Sequence, residues 1–86
     1  MGVVEDLADA LAVETLKAMD ELANDRFYNE VARIVGASSP TLQEAFMTSV
    51  RIRMAAARGH KFLEETLRAK REGGKAPEAP RDTSAH

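Results

Sequence analysis

Apolar residues recur along this chain every three or four positions, the spacing of amphipathic helices, in three successive segments. The first segment predicts a helix over about residues 3–22, and its acidic first turns suit the positive end of a helix dipole. Its apolar stripe consists of Val4, Leu7, Leu11, Ala18 and Leu22, and three neighbours widen it: Ala8, Thr15 and Met19.

The second segment does not continue the first stripe. Its apolar side chains lie roughly 150° around the helix axis from that stripe, so one straight helix cannot bury both. We therefore expect a break at residues 23–25, with Asn24 or Asp25 capping a short helix over about 25–35. Gly36 is placed to end that helix as a left-handed cap. The apolar set is Phe27, Val31 and Ile34.

The third segment begins with strong helix-start signals and then meets no proline. Ser39 is the predicted N-cap and Pro40 the first helical residue, with Thr41 and Glu44 as an alternative capping box. The helix should run to about residue 72, before Gly73 and Gly74, for a length of about 50 Å. The two upstream helices together measure about 46 Å.

These lengths predict an all-α fold: a helical hairpin of one long helix (about 40–72) against two shorter ones (about 3–22 and 25–35). The first helix would then lie beside residues 54–70. Residues 1–72 would form a single domain, and residues 73–86 have the composition of a disordered tail.

The long helix carries more apolar surface than one neighbour can cover. One flank holds Phe46, Met47, Val50, Met54 and Ala57. A heptad seam rich in small side chains comprises Leu42, Ala45, Ser49, Ile52, Ala56, Gly59, Leu63 and Thr66. We expect this surface to be covered by a second copy, in a homodimer resembling a four-helix bundle. The alternative is a monomer in which the upstream segments cover both flanks.

Composition narrows the class of protein. A domain within 86 residues has a marginal core, and no cysteine is present to staple it or to carry thiol chemistry. Neither a signal peptide nor a membrane-spanning run is recognisable, which predicts a cytoplasmic protein without membrane partners. Residues 1–30 hold eight acids and two bases, whereas residues 51–71 hold seven bases and two acids.

No residue pattern predicts an enzyme. The serines and threonines have no neighbouring base in sequence, and no glycine-rich loop follows a strand. His60 and Glu64 lie one helical turn apart, but a metal site needs a third ligand. We therefore predict no catalytic residue, no metal site and no cofactor; a metal carrier built on His60 and Glu64 is the least favoured hypothesis.

Two functional hypotheses remain. The first is a protein–protein interaction module, an adaptor, regulator or chaperone-like subunit, that binds an unidentified protein partner. Its predicted anchors are Tyr28, Met47, Val50 and Met54, with Arg51 and Arg58 supplying charge. The alternative is a nucleic-acid-associated helical dimer that uses Arg51, Arg58, Lys61, Arg68 and Arg71. Arg53 points into the apolar arc and is expected either to extend its charged head to solvent or to pair with an acid across an interface.

Overall fold

Three α-helices make up the computed structural model, which describes residues 2–73. They are α1 (Val3–Leu22), α2 (Phe27–Ser38) and α3 (Pro40–Arg71). No strand occurs within these residues, so the predicted all-α class is confirmed. The predicted disordered tail, apart from Gly73, lies outside the described residues.

The chain divides into two compact units, Met1–Met54 and Ala55–His86. The first unit contains α1, α2 and the beginning of α3. The described part of the second unit is the remainder of α3 with residues 72 and 73. The two units are described separately below.

α1 begins and ends at the predicted residues, and its C-terminus is closed by a backbone cap that the sequence did not indicate. The Glu5 carboxylate accepts a hydrogen bond from the Gly2 amide at its start (3.0 Å). At its end Ala23 adopts the left-handed conformation (φ 53°), and Asn24 donates its amide proton to the Met19 carbonyl (3.2 Å). This is a Schellman cap, formed here without the usual glycine.

α2 starts two residues later and ends three residues later than predicted. Asn24 accepts a hydrogen bond from the Arg26 amide (3.0 Å), forming a turn that precedes the helix, and its side chain does not cap the helix itself. Gly36 is not a cap: it lies inside α2, so that prediction is wrong. Its missing side chain leaves room for Gln43, whose amide lies 2.5 Å from where a Cβ would be and donates to the Ala32 carbonyl (3.0 Å).

The start of α3 is the predicted one. Ser39 ends α2 in an extended conformation, and its hydroxyl accepts a hydrogen bond from the Leu42 amide (3.1 Å). Pro40 is the first helical residue, where its missing amide proton removes no intrahelical hydrogen bond. One serine thus serves both helices, which explains why the connection is a single residue.

The core of the first unit is small and rich in alanine. Its largest fully buried side chains are Phe46 and Val50, both from α3. Around them lie buried alanines from the other two helices, Ala8, Ala12 and Ala32. Because alanine lets helix backbones approach closely, two larger side chains are enough to fill the space between three helices.

The buried face of α1 differs from the predicted stripe. Ala8, Ala12, Thr15 and Met19 are buried, whereas Leu7 and Leu22 are exposed. Three of these four were predicted as neighbours that widen the stripe, and Ala12 was not. The buried face is therefore rotated from the centre of the predicted stripe towards those neighbours, while Leu11 and Leu16 are half-buried and pack against the core.

The contacts of α1 differ from the predicted placement beside residues 54–70. Within the first unit, α1 packs against α2, and its Asp9 contacts Ser49 of α3, so α1 lies beside residues 45–53 of α3. The prediction assumed that α1 continues the course of α2. The left-handed residue at Ala23 instead folds the two helices back on each other.

Candidate functional site

The predicted apolar anchors are largely part of the core. Val50 has no exposed surface, so it is inaccessible to a partner and must be removed from the predicted set. Tyr28, Met47 and Met54 are half-buried and pack against the core of the first unit. The three retain some accessible surface, but they do not form a separate patch with Val50.

Arg53 lies in a polar cluster between α1 and α3. Its Nε donates to the Ser49 hydroxyl (3.1 Å), which in turn donates to an Asp9 carboxylate oxygen (2.7 Å). The Arg53 guanidinium lies 3.8 Å from the same oxygen. The expected pairing of Arg53 with an acid is thus found within the first unit, where it joins α1 to α3.

A groove of about 410 Å³ adjoins this cluster in the first unit. Its walls are α1 and α3, and Ile52 forms part of its lining with 63% of its own surface exposed. The polar groups of its lining are Asp9 and Ser49, which are hydrogen-bonded to each other, and the exposed side chains of Glu5 and Thr48.

The basic side chains proposed for nucleic-acid binding are all exposed. They occur in both units and project in several directions around α3, as their sequence spacing requires. Across residues 2–73, the ion pair that forms is Asp9–Arg53, which uses none of them. The five are Arg51, Arg58, Lys61, Arg68 and Arg71.

The second unit presents an apolar face that coincides in part with the predicted heptad seam. Leu63 and Leu67 are 58% and 49% exposed. Thr66 and Phe62 are half-buried, and the Thr66 hydroxyl donates to the Phe62 carbonyl (2.8 Å). We name this face, with the small residues that continue it, the C-terminal stripe: Ala56, Gly59, Phe62, Leu63, Thr66 and Leu67.

Four members of the C-terminal stripe were in the predicted heptad seam. The seam prediction treated residues 42–66 alike, whereas burial differs along it. Ser49 is buried and Ala45 half-buried in the first unit, while Gly59 and Leu63 are exposed in the second.

His60 and Glu64 are exposed on the same part of α3. The described part of the chain contains no group of three or more side chains suited to hold a metal ion. It also contains no helix with the length and apolar character needed to cross a bilayer.

The chain matches no protein-family model, no curated protein and no solved structure. Two surfaces of the described residues are candidate binding sites: the C-terminal stripe and the exposed basic side chains of α3.

Proposed function

We propose that this chain is a small, non-enzymatic protein–protein interaction module that self-associates through the C-terminal stripe. The observation that supports this most strongly is the exposure of Leu63 and Leu67, one helical turn apart. Burying a leucine side chain is worth about 1.5–3 kcal/mol, so covering two adjacent ones is a substantial driving force. Contiguous apolar surface of this kind marks interaction sites on small proteins.

The small core of the first unit supports the same proposal. Phe46 and Val50 are its only large fully buried side chains among residues 2–73, and three of its buried residues are alanines. A domain with so little buried apolar surface is marginally stable alone, and association adds stability by mass action. The role we propose is that of an adaptor, regulator or chaperone-like subunit, with Arg51 and Arg58 steering the encounter.

Two leucines of nearly equal exposure provide a matched test. Leu63 in the C-terminal stripe is 58% exposed and Leu7 in α1 is 57% exposed. Leu63→Asp should abolish self-association, because it places a charge in the proposed interface, while Leu7→Asp should leave it intact. Light scattering measures the mass, and circular dichroism checks that both variants keep their helices. Equal behaviour of the two variants would contradict the proposal.

Nucleic-acid binding is the second candidate, and the five exposed basic side chains of α3 favour it. Contacts to phosphates would make binding weaken steeply as salt is added. Fluorescence anisotropy of a labelled duplex at low salt tests this, with Lys61→Glu and Arg68→Glu as variants that should lose affinity. Absence of duplex binding by the unmodified chain at low salt removes this candidate.

A further inference from the structure

The helix α1 has two apolar faces, and the larger side chains belong to the one that is less buried. We name the buried one the alanine face: Ala8, Ala12, Thr15 and Met19. We name the other the leucine face: Val4, Leu7, Leu11, Ala18 and Leu22. Leu7 and Leu22 are 57% and 55% exposed. Because burial stabilises in proportion to apolar area, area alone favours turning the leucine face towards the core.

A rotation of α1 about its own axis exchanges the two faces. At 3.6 residues per turn, their centres lie about 75° apart around the helix. Both faces repeat at the spacing that an amphipathic helix needs in order to pack along its length. Apolar periodicity is therefore compatible with two orientations of α1, and another interaction has to select the observed one.

Asp9 lies on the flank of α1 that distinguishes these orientations. It is about 90° from the centre of the alanine face, on the side away from the leucines, and about 165° from the centre of the leucine face. In the observed orientation its carboxylate accepts a hydrogen bond from the Ser49 hydroxyl (2.7 Å) and lies 3.8 Å from the Arg53 guanidinium. With the leucine face inward, Asp9 points to solvent and both contacts are lost.

Ser49 couples the position of Asp9 to the core. It is only 7% exposed, and its hydroxyl donates to Asp9 while accepting from the Arg53 Nε (3.1 Å). Among the described residues, every buried side-chain nitrogen or oxygen has a hydrogen-bond partner in this orientation. Turning α1 away removes the acceptor that Ser49 uses, and a buried hydroxyl that loses its partner is destabilising.

We propose that the Asp9–Ser49–Arg53 cluster fixes the rotation of α1, holding the alanine face inward and the leucine face at the surface. Polar contacts within an otherwise apolar interface select one arrangement among several of similar energy in some proteins. Here the cluster opposes the larger apolar area of the leucine face. When the cluster is removed, α1 turns that face towards the core. The inference is independent of the self-association proposed above.

Thiol accessibility in the full chain measures this rotation, because the sequence contains no cysteine of its own. Leu7→Cys places a thiol on the leucine face. Leu16→Cys places one on the flank shared with Asp9, where Leu16 is half-buried and packs against the core. Ile34→Cys provides a reference on α2, since Ile34 is 72% exposed. The measured quantity is the rate at which each thiol reacts with a maleimide.

Ser49→Ala is the principal variant, because it removes both hydrogen bonds of the cluster. Labelling at residue 7 should become about fivefold slower, since the loss of one hydrogen bond changes an equilibrium constant by about that factor. Labelling at residue 16 should become faster, and the reference rate should not change. Thr48→Ala is the matched control: its exposed hydroxyl lines the same groove but forms no bond to Asp9, so all three rates should stay the same.

Asp9→Ala tests the same contact from α1. The Asp9 side chain is 55% exposed, so its removal leaves the core packing in place. It should again slow labelling at residue 7 and accelerate it at residue 16. This variant decides the matter if Ser49→Ala does not fold, which circular dichroism would show.

The signs of the two changes separate rotation from loosening. Faster labelling at both residue 7 and residue 16 would show that the cluster attaches α1 without orienting it, and it would overturn the proposal. Unchanged rates at both positions in a folded Ser49→Ala or Asp9→Ala chain would overturn it as well.

Discussion

Two glycines inside helices show how differently the same residue can be used. Gly36 makes room for the Gln43 amide, which bonds to the Ala32 carbonyl, whereas Gly59 faces empty space in its own chain. The first glycine is part of the packing of the first unit. The second weakens its helix without any benefit within the described residues.

Substitution by alanine should separate these two cases. Gly59→Ala should raise the free energy of unfolding of the monomer by up to about 1 kcal/mol, because it improves helix propensity without a clash. Gly36→Ala should give no such gain, since its Cβ displaces Gln43 and breaks a hydrogen bond. Urea unfolding at high dilution measures both. A similar gain at both positions would contradict the described packing of Gln43.

The left-handed conformation of Ala23 could not be predicted from the sequence. Its left-handed backbone is unfavourable for alanine, so Ala23→Gly should stabilise the protein by about 0.5–1 kcal/mol. Ala10→Gly is the control: Ala10 is exposed in the middle of α1, and there glycine should destabilise by about 1 kcal/mol. Thermal unfolding of the two variants should show shifts of opposite sign. A loss of stability in Ala23→Gly would argue against the left-handed turn.

Helix boundaries could be predicted where a side chain determines them. The hydroxyl of Ser39 and the ring of Pro40 mark the start of α3, and the structure has it there. The turn at residues 23–26 was located from the shift of the apolar stripe, but alanine gives no indication of a left-handed cap. The apolar pattern therefore could not predict the direction that α2 takes relative to α1.

At the scale of the helices, apolar periodicity predicted their number and positions but not the faces they bury. α1 contains two equally periodic sets, one of leucines and one built on Ala8, Ala12, Thr15 and Met19. Burial of the smaller set depends on how closely α3 approaches, which is a property of the folded unit. The prediction centred the stripe on the first set and included Ala8, Thr15 and Met19 as neighbours that widen it.

Overpacking should reveal the closeness of this contact. Ala12 has no exposed surface, so Ala12→Leu should destabilise the first unit by about 1–3 kcal/mol. Leu7→Ala, on the exposed face of the same helix, should change stability by about 0.5 kcal/mol or less. Urea unfolding followed by circular dichroism compares them. A tolerated leucine at residue 12 would show that α1 and α3 are farther apart than described.

For the whole molecule, the separation of acidic and basic residues along the chain is described unit by unit. In the first unit the acidic α1 is joined to α3 by the Asp9–Arg53 ion pair. In the described part of the second unit the basic side chains of α3 are exposed. The candidate site therefore could be foreseen in part: Arg58 and the seam residues were identified, but Phe62 and Leu67 were not.

The molecule combines a small alanine-rich core with leucines exposed on α3. Apolar surface of this kind in a chain without disulfides is consistent with a protein that completes its packing by association. The proposed self-association would cover the C-terminal stripe with a second copy of the chain.

Sedimentation equilibrium of the unmodified full chain tests this account most directly. The average mass should rise from that of one chain at low concentration to that of two chains at high concentration. The same series with Leu63→Asp should remain at the mass of one chain. A single-chain mass for the unmodified protein throughout would contradict the account.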